Sequence, residues 1–346
     1  MVIRKLYIEL TNRCNLNCTI CYRKSWSNTF ADMSSDIFYK LWEDIRNCRQ
    51  IKEIVLGGIG EPTFSPLICE AIEKLKEYHL TITTNGTLMD DELMDRMIKY
   101  VDVVTVSIDG LDKKFKDIRG AELSRVIDNL KKLNEVKEKQ KSQRPIINIQ
   151  FVASMDSMED IFGVIDLASS LKSNTVLVSN LIPQSEKNAN KILYKKYENK
   201  KMKDLFDRIR NYSFKRGISL IFPNCELKTE RRCNFIDEST TFVCANGDVV
   251  PCYRFSHGYK EYIFGREKQV YKYSFGNVNE KALGEIWNSK EYVDFRRTVY
   301  NNLYPSCIDC DLVEGCDMAK DTEVDCYGVS PSCGDCLWAR KFIICP

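Results

Sequence analysis

The chain has 346 residues and 51 Lys+Arg against 49 Asp+Glu, so it is long enough for about two domains and carries no global field favouring nucleic acid or anionic lipid. No run approaches the ~20 apolar residues of a membrane span, and the start MVIRKLYIELTNRC lacks a signal peptide's apolar core, which predicts a cytoplasmic protein without membrane or nucleic-acid partners. Cysteine is the outlier, at 16 residues against two histidines, His79 and His257. In a reducing compartment disulfides are rare, so clustered cysteines point to metal or cluster ligation.

Apolar runs rich in Val, Ile, Leu and Thr predict strands at Lys5–Glu9, Glu53–Leu56, Leu80–Thr83, Val103–Ser107, Ile146–Val152 and Thr175–Ser179. Amphipathic segments fall between them. Ser34 or Ser35 caps a helix to about Cys48, Ser65-Pro66 opens one to Glu77, and Asp90 opens one to Lys99. Longer helices are expected near Leu123–Lys139, Met158–Leu171 and Lys191–Lys215, the last stopped by Gly217. Strands each followed by a helix give a parallel sheet, either an open doubly wound sheet or a partial barrel, with its chemistry at the carboxyl ends of the strands. From about Pro223 Cys, Gly, Asn and Pro break the pattern, so the expected division is 1–222 and 223–346. Within the second part Asn246-Gly247 predicts a hairpin over Thr241–Cys252, and one helix is expected around Lys281–Tyr300. The last 40 residues have too little periodicity for an ordinary core, so ligand bonds must substitute for it.

Cys14, Cys18 and Cys21 form C-x3-C-x2-C directly after the first strand. Three thiolates on one loop can hold three irons of a [4Fe–4S] cube and leave the fourth open to substrate; the alternatives are a zinc knuckle short of one ligand, or three small core residues. With the aromatic Tyr22 and GGIGEP at 57–62 after the second strand, this motif resembles the radical S-adenosylmethionine (SAM) superfamily. The resemblance spans residues 4 to about 222. It implies an α/β fold, a partial (β/α)6 TIM-like barrel, and SAM bound to the open iron and cleaved reductively to a 5′-deoxyadenosyl radical by electrons from a ferredoxin- or flavodoxin-type donor. Gly58 and Gly60 let backbone approach a ligand closely, and Glu61 can accept hydrogen bonds from an ammonium. By the same resemblance Thr84, Asn85, Ser107 and Asp109 face the SAM methionine and ribose, Arg119 pairs with the SAM carboxylate, and Ile20 and Tyr22 pack near the adenine.

Eleven cysteines fall between 225 and 345. Cys233-x13-Gly247-x4-Cys252 and Cys307-x2-Cys310-x5-Cys316, with FGNVNEKALGEIWNS at 275–289 between them, resemble the SPASM extension of radical SAM enzymes, which binds two auxiliary [4Fe–4S] clusters. The family pattern continues with a cysteine where this chain has Lys320, and the next cysteine is Cys326. Chain order assigns Cys225, Cys233, Cys252 and Cys326 to an inner cluster, and Cys307, Cys310, Cys316 and one of Cys333, Cys336 or Cys345 to an outer one. Two cubes need eight thiolates, so three cysteines are spare; Cys244, inside the hairpin, is the expected non-ligand, and Cys48 and Cys69 are packing residues of helices. A pair of all-cysteine zinc sites is the alternative for this tail taken alone.

The tail from LYPSC to FIICP, with CELKTERRCNF at 225–235 and VVPCYRFSHGY at 249–259, is similar to a subgroup of maturases or cofactor-modifying proteins for tungsten-containing aldehyde ferredoxin oxidoreductases. This implies a radical maturase acting on a protein, peptide or tungsten–pterin target. A SPASM enzyme that crosslinks a ribosomal peptide or oxidises a sulfatase is the second expectation, weakened because only about four residues precede the first strand. A zinc-ribbon binding module is the third, disfavoured by the near-zero charge. Tyr253, Arg254 and His257 follow a cluster cysteine closely and are candidates to line the substrate cavity, or ordinary structural residues.

Overall fold

The computed structural model describes residues 2–26 and 29–345. Six parallel strands run in chain order: β1 (Lys5–Ile8), β2 (Glu53–Leu56), β3 (His79–Thr84), β4 (Val103–Ser107), β5 (Ile146–Ala153) and β6 (Thr175–Asn180). A helix follows each, over Ser35–Asn47, Ile68–Lys74, Asp91–Tyr100, Leu123–Lys139, Ile161–Ser170 and Lys200–Lys215. This is the expected partial (β/α)6 barrel, with strand limits within about a residue of those read from apolar patterning. Two caps are as read: Ser34 Oγ accepts from the Ile37 N–H, and Asp90 accepts from Leu93. The helix expected from Ser65-Pro66 to Glu77 is shorter, Ile68–Lys74, and is entered from Leu67, which has no capping side chain.

Alternation along β5 explains how the sheet separates core from site. Ile147, Ile149, Phe151 and Ala153 are buried, while Gln150 and Val152, on the opposite face, line the central cavity. The helix expected over Lys191–Lys215 begins only at Lys200, where its Met202, Phe206 and Ile209 stripe reaches the core. Among the helices that escaped the sequence pattern, Asp112–Arg119 bears on the site: it ends at Gly120 with φ +71° and delivers Arg119 to the thiol loop. The short strand β7 (Ser219–Ile221) closes this edge of the sheet beside β6.

The boundary near Pro223 is a change in sequence texture but not a break in the sheet. The predicted hairpin forms from β8 (Thr240–Val243) and β9 (Asp248–Val250), with Gly247 at φ +88°, and β8 pairs in parallel with β1 through Lys5↔Thr240 to Ile8↔Val243. A second hairpin, β10 (Tyr259–Ile263) and β11 (Arg266–Val270), forms a separate two-stranded sheet, and the short β12 (Gly276–Asn277) pairs with β9. The helix expected over Lys281–Tyr300 is two helices, Leu283–Trp287 and Lys290–Tyr300. Ser289 caps the second by accepting from the Tyr292 N–H, so the chain stops and restarts there. The carboxy-terminal segment folds back over the start of this region through Asn224 N–H to the Lys341 carbonyl and Arg232 N–H to the Ala339 carbonyl.

Candidate active site and thiol centres

The carboxyl ends of the barrel strands surround a cavity of about 250 Å³, with Cys14, Cys18 and Cys21 in one wall and Trp338, Ile343 and Cys345 of the carboxy-terminal segment in another. The loop after β1 is held by its own side chains. Thr11 Oγ1 donates to Asp32, and Arg13 pairs with the same carboxylate at 2.8 Å. Arg23 reaches into the loop, donating to the Leu16 carbonyl at 3.0 Å and to Cys21 Sγ at 3.3 Å. The Leu16 N–H donates to Cys14 Sγ at 3.3 Å, and Asn85 Nδ2 lies 3.8 Å from the same sulfur. Burial raises the Cys14 and Cys18 thiols, while Arg23 opposes it at both and Arg119 at Cys18. Unbridged sulfurs ringed by N–H donors and guanidinium charge fit a thiolate-ligated anionic cluster.

The glycines serve this wall in a way the sequence did not specify. A Cβ on Gly60 would lie 2.1 Å from the Thr11 carbonyl, and one on Gly58, at φ +130°, would meet Glu9 Cγ at 2.8 Å. Their bareness lets the end of β2 press onto the end of β1, and both residues also line the cavity. Glu61 is fully enclosed and accepts from Thr63 N–H and Oγ1, from Thr84 Oγ1 at 2.7 Å and from the Asn85 N–H at 2.6 Å. Burial pushes its carboxyl up while these donors pull it down. Three of the four bonds fall on Oε1, so Oε2, with one, keeps acceptor capacity, and Glu61 lines the cavity.

Thr84, Asn85, Ser107, Arg119, Ile20 and Tyr22 all line the cavity, whereas Asp109 does not. Asp109 is fully buried beneath the wall, accepts the Val152 N–H at 2.8 Å and pairs with Arg119 at 2.5 Å. It was expected to face SAM; its carboxylate instead anchors the arginine that does reach the cavity. Burial opposes the Arg119 charge, but Asp109 and the Cys18 thiol outweigh it and hold its pKa above the ordinary value. Tyr22 packs on Tyr259 at 4.9 Å. Of the three residues near Cys252, Tyr253 lines the cavity, whereas Arg254 and His257 do not.

A second thiol group lies deeper. Cys233, Cys252, Cys333 and Cys336 line one small apolar cavity, and all four thiols are raised, first by burial; neighbouring thiols add to the rise at Cys233, Cys252 and Cys333. The expected inner set of Cys225, Cys233, Cys252 and Cys326 is therefore corrected. The Cys225 thiol is governed by burial and then by the Glu226 carboxylate, and Cys326 acts on Cys307. Chain order failed because the fold-back of residues 333–341 brings Cys333 and Cys336 to Cys233 and Cys252. Arg254 and Tyr304 line the same cavity, and among the described residues Arg254 Nε and Nη1 and the Tyr304 hydroxyl have no hydrogen-bond partner, as donors to an anionic group between the thiols would.

Sequence reasoning missed the charged group behind this site. Arg254 pairs with Glu261 at 2.5 Å and with Asp335 at 3.1 Å; Arg266 and Lys268 reach Asp335 at 2.8 and 3.2 Å. Burial would raise the Asp335 carboxyl, but Lys268, Arg254 and Arg266 hold it at about 2. Burial pushes the Cys307 thiol up to about 12, Asp335 adding to the rise and Lys268 opposing it, so this knot lies between the four-thiol cavity and the Cys307 turn. The strand pair β10–β11 that supplies Glu261, Arg266 and Lys268 had a signal in Phe264-Gly265, at φ +50° and +92°.

Comparison with known proteins agrees with this architecture. Residues 8–147 match the radical SAM superfamily model, and 233–311 match SPASM, described as an iron–sulfur cluster-binding domain. The chain is 38% identical over 349 residues to the tungsten-containing aldehyde ferredoxin oxidoreductase cofactor-modifying protein of Pyrococcus furiosus, covering 99% of this chain and 97% of that protein. Among solved structures it is similar in fold to SuiB of Streptococcus suis (TM-score 0.64, 20% identity, 92% of this chain, 72% of SuiB). It is also similar to anSMEcpe with bound AdoMet (TM-score 0.62, 17% identity, 98% and 93%). The chain therefore belongs to the radical SAM superfamily and to the SPASM-bearing family of the Pyrococcus furiosus protein, as an enzyme with iron–sulfur clusters and SAM.

Proposed function

We propose that this enzyme matures a tungsten-containing aldehyde ferredoxin oxidoreductase by radical modification of its polypeptide or of its tungsten–pterin group. The observation that carries this reading is the resemblance over the whole chain, both domains included, to a protein named for that role. In it, Cys14, Cys18 and Cys21 hold a [4Fe–4S] cluster that leaves one iron for SAM. When bound, cluster and SAM together supply a 5′-deoxyadenosyl radical. Glu61 receives the methionyl ammonium on Oε2, Arg119 takes the carboxylate, and Thr84, Asn85, Ser107, Gly58, Gly60 and Tyr22 form the bed for the rest. Asp109 acts only through Arg119. Trp338, Ile343 and Cys345 face this bed across the cavity and keep bulk water from the target carbon.

Cys233, Cys252, Cys333 and Cys336 form the inner auxiliary set in this reading, and Cys307, Cys310, Cys316 and Cys326 the outer one. Cys225, Cys244 and Cys345 then stand outside both, which satisfies the count of three spares. Electrons enter from outside the barrel. Cys14 and Cys21 also line an external groove flanked by Arg13, Lys24, Phe30 and Phe64, a cationic and aromatic face suited to an acidic carrier of the ferredoxin or flavodoxin type. A reducing cytoplasm keeps these thiols free for iron.

The test is anaerobic reconstitution with iron and sulfide, then incubation with SAM, reductant and the immature tungsten oxidoreductase. The expected result is 5′-deoxyadenosine whose yield rises with the oxidoreductase, together with a mass change in its polypeptide or pterin. Deoxyadenosine formation indifferent to that protein would overturn the target; no deoxyadenosine at all would overturn the SAM site.

A further inference from the structure

One buried cluster of ligating side chains has no part in the scheme above. Glu9, one residue past β1, Cys244, one residue past β8, and His257, after the turn that follows Cys252, bring a carboxylate oxygen, a thiol sulfur and an imidazole nitrogen within 4.8 Å of one another. The three residues are 0%, 1% and 3% exposed. His257 Nε2 lies 3.0 and 3.1 Å from the two Glu9 oxygens, and its ring stacks on Trp26 at 3.9 Å, which fixes the imidazole plane.

The remaining hydrogen bonds of the Glu9 and Cys244 side chains are long. The Glu9 oxygens accept the Ile59 and Ala245 N–H groups at 3.3 and 3.4 Å, near the limit for such bonds, and among the described residues Cys244 Sγ reaches the Ser256 carbonyl alone, at 3.6 Å. Among the described residues the ion pair recorded for Glu9 is with His257 alone. A buried carboxylate beside a buried thiol is costly to ionise unless a cation joins them.

We propose that Glu9, Cys244 and His257 form a binding site for one divalent, borderline-soft cation of the zinc class, separate from every iron–sulfur site. A dication with one carboxylate, one thiolate and one neutral imidazole is electrically neutral, which suits a fully enclosed position. The mixed O, S and N donor set is one that zinc accepts, with the second carboxylate oxygen or a water completing four-coordination. Each ligand comes from a different element, so the ion ties the end of β1 to the hairpin and to the segment after Cys252. Its position matters for the enzyme. Glu9 also receives the Ile59 N–H and packs against Gly58, so the ion stands directly behind the glycine-rich wall of the SAM cavity.

The test uses the full chain, anaerobically loaded with iron and sulfide and equilibrated with a slight excess of zinc, then desalted. Expected are one zinc per chain and a zinc-edge X-ray absorption spectrum fitted by one sulfur and two to three nitrogen or oxygen ligands. Cys244→Ser should lower zinc at least tenfold while iron and sulfide per chain stay unchanged. Less than about 0.1 zinc per chain in the iron-loaded wild type would overturn the proposal. So would a spectrum of four sulfurs, which would mean zinc in the cluster cysteines, or zinc retained in full by Cys244→Ser. The wild-type stoichiometry and spectrum decide the matter even if that variant fails to fold.

Discussion

The thiols after β1 and the four thiols near the carboxy terminus are built on opposite plans. The first three sit on a loop with the central cavity on one side and an external groove on the other, and their partners include backbone N–H groups and arginines. The second four are enclosed among aromatic and apolar side chains, with a buried arginine aimed at them. An open site can exchange ligand and electrons and can be emptied without loss of the fold, because the barrel core around it is apolar and continuous. A closed site of four buried thiols would, in the proposed reading, be joined by the metal bonds of its cluster, so its ligands would carry structure.

The substitutions that would break this contrast run from abolition to a modest kinetic effect. Cys14→Ala, Cys18→Ala or Cys21→Ala should reduce 5′-deoxyadenosine formation to background with the melting transition almost unmoved; turnover in any of them would remove the open site. Cys333→Ala or Cys336→Ala should instead lower the melting temperature on the order of 10 °C and halve iron content or worse, read by calorimetry and iron assay. Asp335→Asn leaves Arg254, Arg266 and Lys268 without their shared carboxylate and should cost about 3–5 kcal/mol in denaturant unfolding. Glu61→Gln should weaken SAM binding roughly tenfold in equilibrium dialysis, the effect of one charge-assisted hydrogen bond. The smallest change is expected for Arg13→Glu with Lys24→Glu: reduction by an acidic protein donor slows severalfold, while reduction by dithionite is unaffected. Equal slowing with both reductants would move electron entry elsewhere.

The barrel was legible because its strands are short, apolar and bounded by polar turns, and because two of its helices are announced by capping residues, Ser34 and Asp90. The Asn246-Gly247 hairpin was legible for the same local reason. What escaped was long-range. Nothing in the spacing of Cys225, Cys233, Cys252 and Cys326 tells that residues 333–341 return to the start of their own domain, and that return decides which thiols meet. Asp109 was misplaced because a strand-end carboxylate reads alike whether it faces a ligand or an arginine. The break at Ser289 was hidden by apolar periodicity on both sides, although a serine can cap as well as continue a helix.

The pairing of β8 with β1 has a consequence for how the enzyme is made. The strand that presents the three-thiol loop is flanked by β2 on one side and, on the other, by a segment that leaves the ribosome more than 230 residues later. Until then β1 is an open edge, able to recruit foreign strands. Any fragment ending near Phe222 inherits that edge permanently. Holding the nascent barrel apart from its neighbours until the last third arrives is therefore a task for chaperones or for slow, sparse synthesis, and expression of the isolated barrel should yield aggregates rather than a smaller working enzyme.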